Sequence, residues 1–108
     1  MPFDDRKNAN EKKFEMDQQS LFKIEARASK LIGAWAAEKL GLSGDDIGLY
    51  AKEVVIANLD EPGYDDVKRK LQGDFSTRDI EVPEHEIDHA IAKYVVLATE
   101  QVSKESEK

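Results

Sequence analysis

Apolar side chains recur at spacings of three and four along most of this chain, and no stretch alternates with period two for long enough to suggest a sheet. Leu21, Ile24, Ala28, Leu31, Ile32 and Trp35 predict a first helix from Leu21 to Leu40 with one buried face, stopped by Gly41. Ser43 is placed to cap a second helix, with Asp45 and Asp46 in its first turn, where negative charge suits the helix dipole. Its inward face is Ile47, Ala51, Val54, Val55 and Asn58. The breaker-rich DEPGYDD at 60 to 66 is a turn. A short third helix follows, with Val67, Leu71 and Phe75 at spacing four, ending around Ser76 to Arg78. Pro83 suits the start of a fourth helix carrying Ile87, Ile91, Tyr94, Val95, Ala98 and Val102, beyond which SKESEK is expected to fray.

Four helices with short connections read as an all-α fold, a four-helix bundle. Gly33, inside the first helix, costs about 1 kcal/mol relative to alanine, and a close helix crossing beside Trp35 is the reading that explains it. With 108 residues the chain is sized for one domain, able to bury roughly 65% of its unfolded surface, and internal repeats are not evident.

Residues 3 to 19, FDDRKNANEKKFEMDQQ, break the pattern. They hold no proline or glycine and many helix formers, yet too little apolar surface to dock, so helicity there is marginal. Phe3 and Phe14 are eleven residues apart, which at about 100° per residue is three turns plus about 20°. Both rings therefore share one face of a helix, with Leu21 close to the same line. The expected organisation is a flexible arm over 1–19 that continues the first helix, and a bundle over 20–108. A sparse aromatic stripe among charges is poor core, but two aromatic anchors with flanking ion pairs suit entry into a partner's groove.

Charge sharpens this division. The 16 basic and 23 acidic side chains give a formal charge of −7, unsuited to nucleic acid or anionic lipid. Residues 1 to 30 carry seven basic and six acidic groups (+1), leaving nine basic and seventeen acidic (−8) for the remainder. Cysteine is absent, which excludes disulfides, thiolate ligands and cysteine nucleophiles. Neither a signal-peptide core nor a membrane-length apolar run is visible, so a cytoplasmic protein without membrane insertion, monomeric when free, is the expectation.

FDDR at 3 to 6, EKKF at 11 to 14 followed by Asp17, FKIEAR at 22 to 27, KLIGAWAAEKLGL at 30 to 42, YAKEVV at 50 to 55 and DEPG at 60 to 63 resemble the zeta subunit family, the ATPase inhibitors of alphaproteobacterial F-type ATP synthases. The likeness runs in order from Phe3 to about Phe75. It implies a four-helix bundle whose N-terminal segment becomes helical as it inserts into the catalytic head, at an interface of alpha, beta and gamma subunits, blocking rotation during ATP hydrolysis. Carried over by position, the partner-binding residues are Phe3, Asp4, Asp5, Arg6, Lys7, Glu11, Lys13, Phe14 and Asp17. The phenylalanines would be apolar anchors and Asp4, Asp5 and Arg6 the contacts that fix register. Asn8, Asn10 and Pro83 depart from the family pattern. The resemblance also suggests weak ATP or ADP binding by the bundle, and a helical nucleotide-binding or sensing module without inhibitory activity is the alternative reading, although the sequence has no glycine-rich phosphate loop.

HEIDH at 85 to 89 has the spacing of the zinc-protease motif, with two histidines one helical turn apart and Glu86 in the base position. A working site needs a third ligand, a cleft and an ordered outer shell. Here Pro83 puts His85 in the first turn, Glu81, Glu84, Glu86 and Asp88 make the face acidic and solvated, and Ile87 points inward. Five letters with two free positions recur by chance, so the expectation is no metal site, no catalytic residue, no cofactor and no enzyme.

Overall fold

The computed structural model describes residues 18–59 and 63–106. Four helices make up the described chain: α1 (Gln18–Lys39), α2 (Asp45–Leu59), α3 (Asp65–Thr77) and α4 (Glu84–Ser106). They form an all-α four-helix bundle. Gln18 and Gln19, counted with the arm in the sequence reading, already belong to α1. Residues 3–17, which carry the rest of the arm, lie outside the described residues.

Helix α1 is the organising element, packing most broadly against α2 and next against α4, while α3 makes smaller contacts with α2 and α4. The core is the predicted set of stripes brought face to face: Ile24, Ala28 and Ile32 from α1, Val54 from α2, Val67, Leu71 and Phe75 from α3, and Ile87, Ala98 and Val102 from α4. Leu31, Trp35, Ile47, Ile91, Tyr94 and Val95 pack partly buried around it, with the Trp35 and Phe75 rings edge to face at 6.3 Å. Gly33 is indeed a close-crossing residue, and the helix that crosses it is α2.

Three expectations need correction. Leu21 continues the α1 stripe by spacing but is 49% exposed, because no element among the described residues covers this end of α1. The tail expected to fray is helical through Ser106, and Arg27 on α1 clasps it through an ion pair to Glu105 at 2.7 Å. Helix α2 starts at Asp45, with Gly44 at φ +61° ahead of it. Ser43 contributes its backbone carbonyl, which accepts from the Asp46 N–H at 3.2 Å.

Helix ends follow from backbone chemistry. Gly41 sits at φ +84°, with Leu42 N–H donating to the Ala37 carbonyl and Gly41 N–H to Glu38, the paired bonds that close an α-helix around a left-handed residue. The same pair of bonds ends α3, from Ile80 to Phe75 and from Asp79 to Ser76, with Asp79 at φ +58° in the left-handed position. The Pro83 carbonyl accepts from the Glu86 and Ile87 N–H groups, so proline stands at the cap, where its missing donor is not needed.

Buried polar groups show where packing gives way to placement. Asn58 is buried and donates its side-chain amide to the Gly63 carbonyl at 2.5 Å, fastening the end of α2 to the following turn. Ser29, fully buried in α1, has a hydroxyl with no hydrogen-bond partner. An unsatisfied buried hydroxyl costs about 1–3 kcal/mol. Ser29→Ala removes it while improving helix propensity, so urea denaturation should show a gain of about 1 kcal/mol.

Candidate partner-binding site

The residues singled out for partner binding, Phe3, Asp4, Asp5, Arg6, Lys7, Glu11, Lys13, Phe14 and Asp17, all lie outside the described residues. What the structure describes is the root from which they leave, the first three turns of α1. This root is fastened on two flanks. The Glu25 carboxylate accepts the Gly63 N–H at 3.2 Å, tying α1 to the turn after α2. On the other flank Arg27 donates to Gln101 at 2.9 Å and pairs with Glu105, tying α1 to the last turns of α4. The Glu105 carboxylate and the hydrogen bond it accepts hold the Arg27 guanidinium pKa above its ordinary value. Each clasp joins residues far apart in sequence, so neither has a local signature that sequence reasoning could detect.

Between the clasps the root is apolar and open. Leu21 and Phe22 are 49% and 58% exposed, and Ile56 and Leu59 at the end of α2 are both 55% exposed. On an ideal helical continuation of α1, Phe14 and Phe3 fall within about 20° of the Leu21 line. The exposed leucine is thus the first described member of the stripe that spacing assigns to the two phenylalanines.

Half-buried Tyr64 reports on the same region. Burial, and then the charge of Glu25, push its phenol up to about 12. Tyr50, at 7% exposure, is pushed up further, first by burial and then by donating to Asp74 at 2.6 Å. An unfolded chain ionises its tyrosines near pH 10. The folded state therefore holds protons that the unfolded state has lost, and the contribution, intact below about pH 10, vanishes as pH rises through 12. Thermal melts should fall across that window, and Tyr64→Phe and Tyr50→Phe should each flatten the fall, Tyr50→Phe over the more alkaline part.

The HEIDH face is organised as an ion-pair surface. His85 and His89 are exposed, one turn apart, on either side of buried Ile87. Glu86, in the base position of the motif, accepts from Lys39 at 2.9 Å. Glu84 and Asp88 both pair with Lys68, at 2.6 and 2.9 Å. Among the described residues no three His, Cys, Asp or Glu side chains converge as metal ligands. Two surface clefts have carboxylates in their lining, one Asp79 and Glu81 and the other Asp46, Glu53 and Asp74 together with Arg78. Among the described residues, no helix is long and apolar enough to cross a membrane.

Comparison with known proteins decides what kind of root this is. The family model described as ATPase inhibitor subunit zeta matches residues 1–101, essentially the whole chain. The chain belongs to that family. Its members are inhibitor subunits, a regulatory and non-catalytic class. Three solved chains also match, among them a solution NMR structure of a protein 43% identical in sequence, with a TM-score of 0.67, covering 78% of this chain and 95% of that one. No curated protein matches. The zeta family match spans both the arm and the bundle, taking in Glu25, Arg27 and Gln101 together with residues 3–17.

Proposed function

We propose that this chain inhibits ATP hydrolysis by an F-type ATP synthase, and that residues 1–19 enter the catalytic head as a helical continuation of α1. Phe3 and Phe14 anchor the segment in an apolar crevice, with Asp4, Asp5, Arg6, Lys7, Glu11, Lys13 and Asp17 fixing register through charge. The wedge blocks rotation at an interface of alpha, beta and gamma subunits and requires no chemistry from the inhibitor. One observation carries this reading: the inhibitor-family match begins at residue 1 and so includes the segment whose sequence is poor in apolar residues. Its support in the bundle is the doubly clasped root, since an arm that folds on binding loses conformational entropy and grips better from a fixed base.

The test is titration of the full chain, and of the chain lacking residues 1–19, into the cognate ATPase while hydrolysis is followed. Full-length protein should suppress hydrolysis and the shortened one should not. No suppression by the full chain would reject the inhibitor reading. Equal suppression by both would reject the arm as the wedge.

A further inference from the structure

The root of α1 carries a second feature besides the exposed Leu21. Phe22, Ala26 and Val55 floor an open groove where α1 passes the end of α2, rimmed by Lys23, Arg27 and Lys30. Its lining is mainly apolar, its volume is about 350 Å³, and Phe22 stands 58% exposed at one end. We propose that this groove is a docking surface for an acidic amphipathic helix on the same ATPase, separate from the crevice that takes the arm. The proposal rests on the inhibitor reading and adds to it a second point of contact.

Charge selects this occupant. The chain is acidic overall, and three of the described lysines pair with carboxylates: Lys39 with Glu86, Lys68 with Glu84 and Asp88, and Lys70 with Glu53 and Asp74. Lys23 and Lys30, both exposed beside the groove, have no acidic partner among the described residues, and Arg27 between them is turned away to Glu105. Two ammonium groups without an acidic partner among the described residues thus flank apolar surface on a protein of net charge −7. They are seven residues apart on one helix, two turns or roughly 10 Å along the axis. A partner helix with two carboxylates at the same seven-residue interval, and apolar side chains on the turn between them, meets both lysines while seating its apolar residues on Phe22, Ala26 and Val55. Such a contact steers encounter through charge and is screened by salt.

A second copy of this chain suits the groove less well. Its exposed apolar residues would have to approach with a like net charge of −7. The position also suits the inhibitor: a groove at the arm's root, held by the Glu25 and Arg27 clasps, keeps the local concentration of the arm high near its crevice.

The test compares full-length wild type, K23E/K30E, K23Q/K30Q and K23R/K30R in inhibition of the cognate ATPase at low and at 0.5 M salt, with thermal melts of each. The charge-reversed protein should melt like wild type, need about tenfold more protein for half-inhibition at low salt, and lose most of the wild-type salt dependence. The glutamine pair should fall between and the arginine pair should match wild type; if the reversed protein does not fold, the glutamine pair decides. Wild-type potency and salt dependence in both neutralised and reversed variants would overturn the groove assignment and leave the inhibitor reading standing. Absence of inhibition and binding by wild type would remove both. Two results would assign the groove to another occupant and overturn the proposal: a wild-type dimer in sedimentation that the reversed variant abolishes, or nuclear Overhauser contacts between residues 1–17 and Phe22, Ala26 or Val55 in the free chain.

Discussion

Gly33→Ala is expected to destabilise the protein by a net of about 1 kcal/mol, although alanine is the better helix former by about 1 kcal/mol. A Cβ placed on Gly33 would lie 2.7 Å from the Ala51 Cα and 3.2 Å from the Cβ atoms of Ala51 and Val54. The nearest of these is backbone, so no rotamer change relieves it. Helices α1 and α2 must separate along the broadest contact in the bundle, and neighbouring Ala28, Ile32, Ala36 and Val54, all fully buried, lose close packing. Overpacking of this kind costs about 1–3 kcal/mol and outweighs the propensity gain. The control is the same substitution on α3. A Cβ at Gly73 meets nothing within 4 Å, so Gly73→Ala should stabilise by up to about 1 kcal/mol. Paired urea denaturation curves with opposite signs would attribute the Gly33 effect to the crossing; a gain at both positions would refute it.

That crossing also marks how far the sequence could be read. A glycine at an interior helical position is visible in the letters, and it announces close approach without naming the partner, because spacing fixes a face and not the helix opposite it. The stripes at Val67, Leu71 and Phe75 or at Ile87, Ala98 and Val102 were legible since each is a repeated burial on one side of one helix. Tyr50 was not, although only 7% of it is exposed. Its hydroxyl needs Asp74 from α3 before burial becomes affordable in free energy, and that bond spans 24 residues. Leu21 failed the other way: its spacing is right, but burial also needs a covering element, and the described residues supply none. The Arg27 to Glu105 clasp reversed the expectation for the tail for the same reason, a stabilising partner remote in sequence.

The candidate site divides similarly. The residues assigned to the arm came from a resemblance carried by many positions, FDDR, EKKF and FKIEAR among them, and the family match from residue 1 agrees with it at the level of family. The HEIDH string shows the opposite case. Its two histidines have metal-site spacing, but Lys39 engages the intervening Glu86 and Lys68 engages Glu84 and Asp88, so three-dimensional neighbours assign the carboxylates to ion pairs. The lysines on either side of Ala26 were also present in the sequence as a seven-residue interval. What could not be read there was that no acidic partner meets them among the described residues, which requires knowing that α4 takes Arg27 and leaves them out.

Leu71→Ala is expected to cost about 3 kcal/mol and lower the melting temperature by on the order of 10–20 °C. Helix α3 is the element with least to spare. Its buried face is three residues, Val67, Leu71 and Phe75, and Leu71 is the central one, with no exposed surface. Deleting three carbons there removes transfer free energy of about 2 kcal/mol and leaves a cavity between flanking rungs that are themselves buried. The surface bonds from α3, Lys68 to Glu84 and Asp88 and Lys70 to Glu53, are solvent-exposed pairs that contribute little to offset the loss. Because Tyr50 donates to Asp74 and Trp35 meets the Phe75 ring, loosening α3 also withdraws support from α2 and α1, so the transition should remain a single cooperative one. Leu49→Ala, at a side chain 61% exposed, removes the same atoms and should change stability by less than about 0.5 kcal/mol. Chemical denaturation of both variants against wild type measures the difference. Equal small losses would mean that α3 rests on its ion pairs and not on its three-residue stripe.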